Sequence, residues 1–369
     1  MKQKKWVALL LCTGFIFFAT GCQSDAVETD EFVAYEHSSA YEYSQDEYNQ
    51  TGYNEETYVP EETPNEVDLY EEEEPLNIYG LNQFHLTILH TNDWHGILHN
   101  VPRYATIVNE VRAERENVLL LDGGDIYRRG PFEALHGATE IAIMNAMGYD
   151  ALAFGNNDFP RNDREFFHVS QHPMLQYANF PILLGNTTLD GEIVEGFEPY
   201  IIVTKQDINI AIIGVTSPKP WDRNFDFTTR YLFEDPVLAV ERMTEEVYEK
   251  SDIQIVLSHA GFEFDRQMCG VSAVIGGDDH RVLRQPYVIN VDGRRVPVVQ
   301  AGGERSHFLG RLDLYFVEID EVWILHDFNG QLLNVADVTP DQEIQDIINY
   351  YRIIVGLEPI LPEPLEPAA

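Results

Sequence analysis

The segment NVLLLDGGD, Asn117 to Asp125, constrains this chain more than any other. Its apolar residues follow one another without a polar break and then stop in Gly-Gly-Asp. A strand exposed on one face alternates, so this run predicts a strand buried on both faces, within a sheet covered on both sides. HLTILHTND (His85 to Asp93) is a second strand, rich in β-branched residues and ending in polar ones. YDALAFGNND, PILLGN, PYIIVTK, INIAIIGVTS and DIQIVLSHAG supply more, and VPVVQAGG, RLDLYFVEI and VWILHDFN give a strand-rich close. Between them, Tyr104, Ile107, Val108 and Val111 share one helical face. Further helices are predicted over Phe132–Met147, with Gly148 as C-cap, over Val237–Lys250 and over Pro340–Val355. Strands alternating with helices predict an α/β core, and the late run of strands predicts a second sheet packed on the first.

The chain is not uniform. MKQKKWVALLLCTGFIFFATGC has a basic start, an apolar run from Trp6 to Phe18 too short for a comfortable membrane span, and small residues leading into Cys22. Residues 1–22 are therefore expected to be a lipoprotein signal, with Cys22 the lipidated residue of a protein held at the outer face of a bacterial membrane. Residues 23–77 are rich in Glu, Asp, Tyr, Ser and Asn, and no Lys or Arg lies between Trp6 and Pro102. Self-repulsion and scarce aliphatic residues predict a solvated linker that lifts the folded part off the membrane. The folded domain is expected over 78–340, and 341–369 as a short helix with a loose Pro/Glu-rich tail. A formal charge of −38 excludes a nucleic-acid polymer as partner, since phosphate binding needs a basic face. With Cys12 in the leader and Cys22 lipidated, Cys269 is the only remaining thiol, and no internal disulfide is expected.

Several strands end in potential metal ligands: Asp93 and His95 in TNDWHG, Asp125 in DGGD, Asn156 in FGNND, His259 in LSHAG, and Asp278 and His280 in GGDDH. In open α/β sheets the functional crevice lies beyond the carboxyl ends of the strands, where residues distant in sequence can meet. Carboxylate, imidazole and amide oxygen suit divalent Zn, Mn, Fe or Co, and the lack of thiolates argues against a structural zinc.

TILHTNDWHG, LLLDGGD, FGNND, VLSHAG and GGDDH, followed by QAGGERSHFLGRLDL, resemble the metallophosphoesterase domain of the 5′-nucleotidase and UDP-sugar hydrolase family, within the calcineurin-like phosphoesterases. The resemblance spans His85 to Pro340. It implies a four-layer sandwich, two packed mixed β-sheets flanked by helices, and two divalent metal ions. Asp93, His95, Asp125 and His280 would hold one; Asp125, Asn156, His259 and Asp278 the other, with Asp125 bridging. Such a pair clamps phosphoryl oxygens and lowers the pKa of a bound water, which then serves as nucleophile.

Three departures stand out. Where the family reads Gly-Asn-His-Glu-Phe-Asp, this chain has Gly155, Asn156, Asn157, Asp158, Phe159 and Pro160. The histidine that assists the leaving oxygen is Asn157, which can donate a hydrogen bond but pass no proton. Its orienting aspartate is Pro160. Loss of general-acid help costs about 10²–10⁴-fold, so catalysis is expected to be attenuated, least for nitrophenolate or pyrophosphate leaving groups. His168 or His172 could replace the acid, though each reads more simply as a surface residue. Secondly, Asp278 replaces a histidine, which shifts metal preference toward Mn, Mg or Ca. Thirdly, nucleotide-specific members of that family carry a second, C-terminal domain whose aromatic residues stack on the base, and the residues after Pro340 are not expected to supply one. Trp221, Tyr127, Arg128 and Arg129 are candidates for the substrate mouth, Arg128 and Arg129 as phosphate binders. The expected function is phosphoester hydrolysis on a phosphorylated small molecule, nucleotides included. The alternative is a catalytically inactive surface lipoprotein that binds a ligand or partner.

Overall fold

The computed structural model describes residues 78–159, 172–218, 231–304 and 306–360. The leader, Cys22, the acidic linker, Pro160, His168, Trp221 and the tail beyond 360 lie outside the described residues.

The polypeptide from Gly80 onward builds two six-stranded sheets. The first runs β15 (Val322–Asn334), β14 (Phe308–Ile319), β1 (Gln83–Thr91), β2 (Val118–Asp122), β3 (Ala151–Ala153) and β4 (Ile182–Leu183). Strands β1 to β4 are parallel, and β14 and β15 add an antiparallel ribbon. The second sheet runs β12 (Tyr287–Val291), β13 (Arg294–Val299), β11 (Ala273–Ile275), β10 (Ile253–His259), β8 (Ile208–Thr216) and β7 (Tyr200–Lys205). Its four central strands are parallel. A small third sheet joins β6 (Glu192–Ile193), β5 (Thr187–Leu189) and β9 (Tyr231–Phe233).

The alternation of side chains along each strand makes the layers. In β2, Leu119 and Leu121 enter the core between the two large sheets with Leu86 and Ile88 of β1 and Ile255 and Leu257 of β10. Val118 and Leu120 point the other way, under α1 (Val101–Glu114), α2 (Ala138–Met147) and α6 (Gln342–Ile354). On the far side, Val256, Val274 and Val298 of the second sheet pack beneath α4 (Pro236–Val247). Two sheets between two helical layers match the expected sandwich. Each fully buried leucine contributes about 2 kcal/mol of transfer free energy, which explains why β2 is apolar from Val118 to Leu121 and turns polar only at its last residue, Asp122.

Some expectations change. The helix foreseen over Phe132–Met147 is only Ala138–Met147; Glu133–Leu135 forms one 3-10 turn. His136 and Gly137 lie between them at φ 49° and 84°, a left-handed pair that interrupts the helix. Strand β11 shows no periodicity in three residues, and its register with β10 and β13 comes from tertiary pairing. The expectation of no internal disulfide turns on Cys12 and Cys22, which lie outside the described residues. Helix α6 docks through Ile344 and Ile348. The start of the tail is tied rather than loose: Asn349 and the Ile360 backbone exchange two hydrogen bonds, and Arg352 donates to Glu358 O. No helix among the described residues is long and apolar enough to cross a membrane.

One polar group contradicts its surroundings. Glu140 of α2 is fully buried, its carboxylate finds no partner beyond its own backbone N–H, and burial pushes its pKa from the ordinary 4.5 to about 8. The unfolded chain releases this proton near pH 4.5 while the fold retains it. Stability is therefore fully present below pH 4.5 and is lost as pH rises toward 8. Replacing Glu140 by Met removes the titration. Relative to the parent, the variant is expected to gain about 3 kcal/mol between pH 4.5 and pH 7. Urea unfolding of both proteins at the two pH values checks this, and a gain equal at both would refute it.

Candidate metal centre

Parallel strands of both sheets point their carboxyl ends to the same side. Strand β1 delivers Asp93 and His95, β2 delivers Asp125, and β3 delivers Asn156; β10 ends on His259, and β11 leads to Asp278 and His280. Asp93, His95, Asp125, Asp278 and His280 all have positive φ, between 47° and 77°. Non-glycine residues avoid this region, and their concentration here marks loops held in strained conformations by the surrounding packing. Close approach also excludes side chains at two glycines. A Cβ at Gly155 would strike the Asp125 carboxylate, and one at Gly303 would lie 2.6 Å from the His280 ring.

The donor atoms converge. On one side, His280 Nε2 is 3.2 Å from Asp93 Oδ1 and 3.2 Å from His95 Nε2. His95 Nε2 is 3.8 Å from Asp93 Oδ1 and 3.7 Å from Asp125 Oδ2. On the other, His259 Nε2 is 3.3 Å from Asp125 Oδ2, 3.2 Å from Asn156 Oδ1 and 3.7 Å from Asp278 Oδ1. Ligand atoms of Asp93, His95 and His280 lie within 4.8 Å of one another, as do those of Asp93, Asp125 and His259. Asp93 is common to both triads. Asp125 Oδ2 nonetheless stands between His95 and His259, the position of a bridging oxygen.

The arrangement fits divalent cations on its own evidence. Asp93 Oδ1 is buried and receives no well-aligned hydrogen bond, and two imidazole nitrogens face each other with carboxylate oxygens around them. His259 Nδ1 lies 2.5 Å from Gly123 O, which fixes the tautomer that leaves Nε2 unprotonated for a metal. His95 Nδ1, also buried, lacks such a partner. Electrostatics agree. Burial opposes charge on His259, but Asp125, Asp93 and Asp278 hold its pKa well above the ordinary 6.5. Burial likewise opposes charge on Asp125, yet His259, His95 and the Asn157 amide hold its carboxyl well below the ordinary range. The carboxylates around His259 thus favour positive charge at this position, which a bound cation would supply. Asp278, pushed up to about 6 chiefly by burial, points the same way.

The turn after β3 is tied to Asp125. Asn157 donates its backbone N–H to Asp125 Oδ1 at 2.8 Å, and its side-chain amide to Asp125 Oδ2 at 2.5 Å and Asn156 Oδ1 at 3.1 Å. Expected to face the substrate, Asn157 instead directs its donors at the ligands. Arg128, expected at the mouth, is fully buried: Nε donates to Asn157 O and Nη2 to Phe159 O at 2.7 Å, so it braces the turn. Tyr127 is buried beside it, 4.8 Å from the guanidinium. Arg129 is different. Its side chain is 41% exposed and pairs with Glu304 at 3.8 Å, and its charge reaches both His95 and His280. His172, expected on the surface, is buried, caps α3 (Pro173–Tyr177) by accepting Met174 N–H at 3.1 Å, and is pushed down to about 3 chiefly by burial.

Sequence reading missed the side chains that hold the ligands. Asp158, also buried, accepts the backbone N–H groups of Asp125 and Gly155 at 2.9 and 3.0 Å. Asn92 donates to Asp93 Oδ2 at 2.7 Å and to Gly302 O, and accepts Ala301 N–H at 3.0 Å. Asn92 adjoins Asp93 and Asp158 lies two residues from Asn156, but nothing in a single sequence separates a bracing side chain from a turn former.

Comparison with known proteins places this geometry. Residues 86–282 match the calcineurin-like phosphoesterase family. The chain is 33% identical over 310 residues to 5′-nucleotidase from Bos taurus and 32% identical over 310 residues to that from Homo sapiens, covering 73% of this chain and 52% of each relative. It thus spans about half the length of these curated relatives. Among solved structures, a 5′-nucleotidase precursor from Thermus thermophilus has a TM-score of 0.61 at 24% identity, over 74% of this chain and 59% of that one. The calcineurin-like phosphoesterase YfkN from Bacillus subtilis has a TM-score of 0.63 at 21% identity, over 74% and 98%. The chain belongs to the calcineurin-like phosphoesterase family and has 5′-nucleotidases among its relatives.

Proposed function

We propose that this protein is a metal-dependent phosphoester hydrolase of the 5′-nucleotidase type, with attenuated activity, tethered outside the cell through Cys22. The observation that carries the reading is the convergence of Asp93, His95, Asp125, Asn156, His259, Asp278 and His280, from two sheets, around Asp125 Oδ2. Asp93, His95, Asp125 and His280 would hold one divalent cation and Asp125, Asn156, His259 and Asp278 the other. Bound there, the pair supplies Lewis acidity toward phosphoryl oxygens and acidifies a coordinated water. The oxygen-rich donor set favours Mn, Fe, Zn, Co or Ca over thiolate-seeking metals.

The protein's own groups set what such a site does. Asn157 and Asp158 hold the Asp125 carboxylate and backbone in one orientation, which preorganises the site before substrate arrives. Arg129 would take up a phosphate oxygen and give up its contact with Glu304; its half-exposed side chain at the rim supports this role. The substrate is a phosphorylated small molecule, and nucleotides are the class that the relatives suggest.

Mn²⁺-supplemented protein is expected to hydrolyse p-nitrophenyl phosphate and to lose that activity on treatment with chelator. Stoichiometric Mn²⁺ binding without turnover, on nitrophenyl or nucleotide substrates, would favour the second reading: a surface protein that keeps the metal site to bind a ligand. Arg128 bracing the turn from within favours neither.

A further inference from the structure

We propose that Gln300 is the positioning residue of the Asp278–His280 loop and thereby sets the metal affinity of both halves of the centre. The inference rests on reading Asp278 and His280 as metal ligands. Gln300 follows β13 immediately, beside β11, and its side chain is buried. Its amide meets the neighbouring loop at three points. Nε2 donates to Gly277 O at 2.7 Å and to Asp279 Oδ1 at 2.9 Å, and Oε1 accepts the backbone N–H of Arg281. These contacts lie just before Asp278, between the two ligands, and just after His280.

The loop needs such a hold. Asp278 and His280 sit at φ 77° and 54°, conformations that non-glycine residues keep only when their surroundings enforce them. Asp278 faces His259 and His280 faces Asp93 and His95, so one amide governs a ligand in each half of the site. The Gln300 backbone adds a fourth tie by accepting Leu283 N–H at 3.2 Å. Asp279 is held in turn by Arg281, whose Nε lies 2.6 Å from its Oδ2, with the Arg281 guanidinium stacked 4.4 Å from the Phe262 ring centre. Gln300 is thus the inner member of a chain that keeps the loop closed on the site. A side chain that ties down a ligand loop without touching metal or substrate acts on affinity: losing comparable outer partners typically costs about 10–100-fold.

The test is Mn²⁺ titration of the purified protein, followed calorimetrically, for the parent, Gln300→Met, Asp279→Ala and Asn117→Ala. Gln300→Met keeps the volume and removes all three side-chain hydrogen bonds; it is expected to weaken Mn²⁺ binding by about 10–100-fold. Asp279→Ala, on a part-exposed residue, loses one of the three and is expected to weaken binding severalfold, which keeps the idea testable should Gln300→Met fold poorly. Asn117 is a buried amide at the opposite end of β2, bonded to His85 O at 3.1 Å and to Gln206 Oε1 at 3.0 Å. Its replacement is expected to lower the melting temperature while leaving Mn²⁺ affinity unchanged. Unchanged affinity in Gln300→Met, or equal losses in Asn117→Ala, would overturn the assignment. A parent that binds no Mn²⁺ would overturn the reading of the site itself.

Discussion

Replacing Asp125 by Ala is expected to abolish tight Mn²⁺ binding and to lower nitrophenyl phosphate turnover by more than about 10³-fold, beyond the loss from a single electrostatic donor. The reason is geometric. Asp125 Oδ2 is the oxygen within 3.7 Å of both His95 Nε2 and His259 Nε2, so its removal takes a ligand from each half of the centre at once. It also removes the acceptor on which Asn157 spends its side-chain donor and its backbone N–H. Thermal melts give a check independent of activity. A ligand that binds only the folded state adds about 2.7 kcal/mol of stability at a hundred times its dissociation constant. The parent is expected to show a gain of that size with Mn²⁺, and the variant none. A variant still stabilised by Mn²⁺ would remove Asp125 from the centre of the site.

The second large effect concerns the leaving group. Among the described residues, the titratable side chains whose charges reach the candidate ligands include Asp158 beneath the turn, Asp122 and Asp265, both buried behind the ligands and away from the substrate face, and Asp279, Arg129 and Glu304 nearer the rim. Asn157 carries no transferable proton, and His172 is buried and committed to capping α3. Turnover is therefore expected to fall steeply as the leaving group becomes more basic, from nitrophenolate or pyrophosphate to a simple alkoxide. Introducing Asn157→His together with Pro160→Asp should restore about 10²–10⁴-fold on alkyl phosphates and change nitrophenyl phosphate little. The measurement is the dependence of log kcat on leaving-group pKa for both proteins. Parallel lines would mean that the turn around Asn157 does not limit proton delivery.

These two predictions draw on different kinds of information. The steep leaving-group dependence follows from residue identity at 157, which was legible at once. The failure of His172 to substitute was not legible, because a histidine before Pro173 reads as a loop residue until its burial and its bond to Met174 are seen. Arg128 and Arg129 are adjacent, identical and equally attractive in sequence, yet one is buried under the turn and the other stands at the rim. Both have positive φ, 72° and 61°, and it is this irregular backbone, with no periodicity to reveal it, that sends them apart.

The strands behaved otherwise. An uninterrupted apolar run such as Leu119–Leu121 tolerates only one kind of environment, so its burial and the sheet it implies could be read from composition and order alone. The same holds for the ligand types, since the carboxylates and imidazoles at strand ends limit the chemistry to hard or borderline cations. Where a hydrogen-bonded element was too short to repeat, as in β11, or was broken by left-handed residues, as at His136 and Gly137, local pattern carried no signal.

By itself, then, the order of amino acids determined the layers, the strands that carry functional side chains and the kind of atom each offers, because burial and periodicity act over neighbouring residues. Only the tertiary structure decided which of those atoms meet, that Asn157 faces Asp125 rather than a substrate, and that Gln300 and Asn92 lace the ligand loops together. Such contacts join strands far apart along the chain, and their free energy depends on distance and direction that no local pattern encodes.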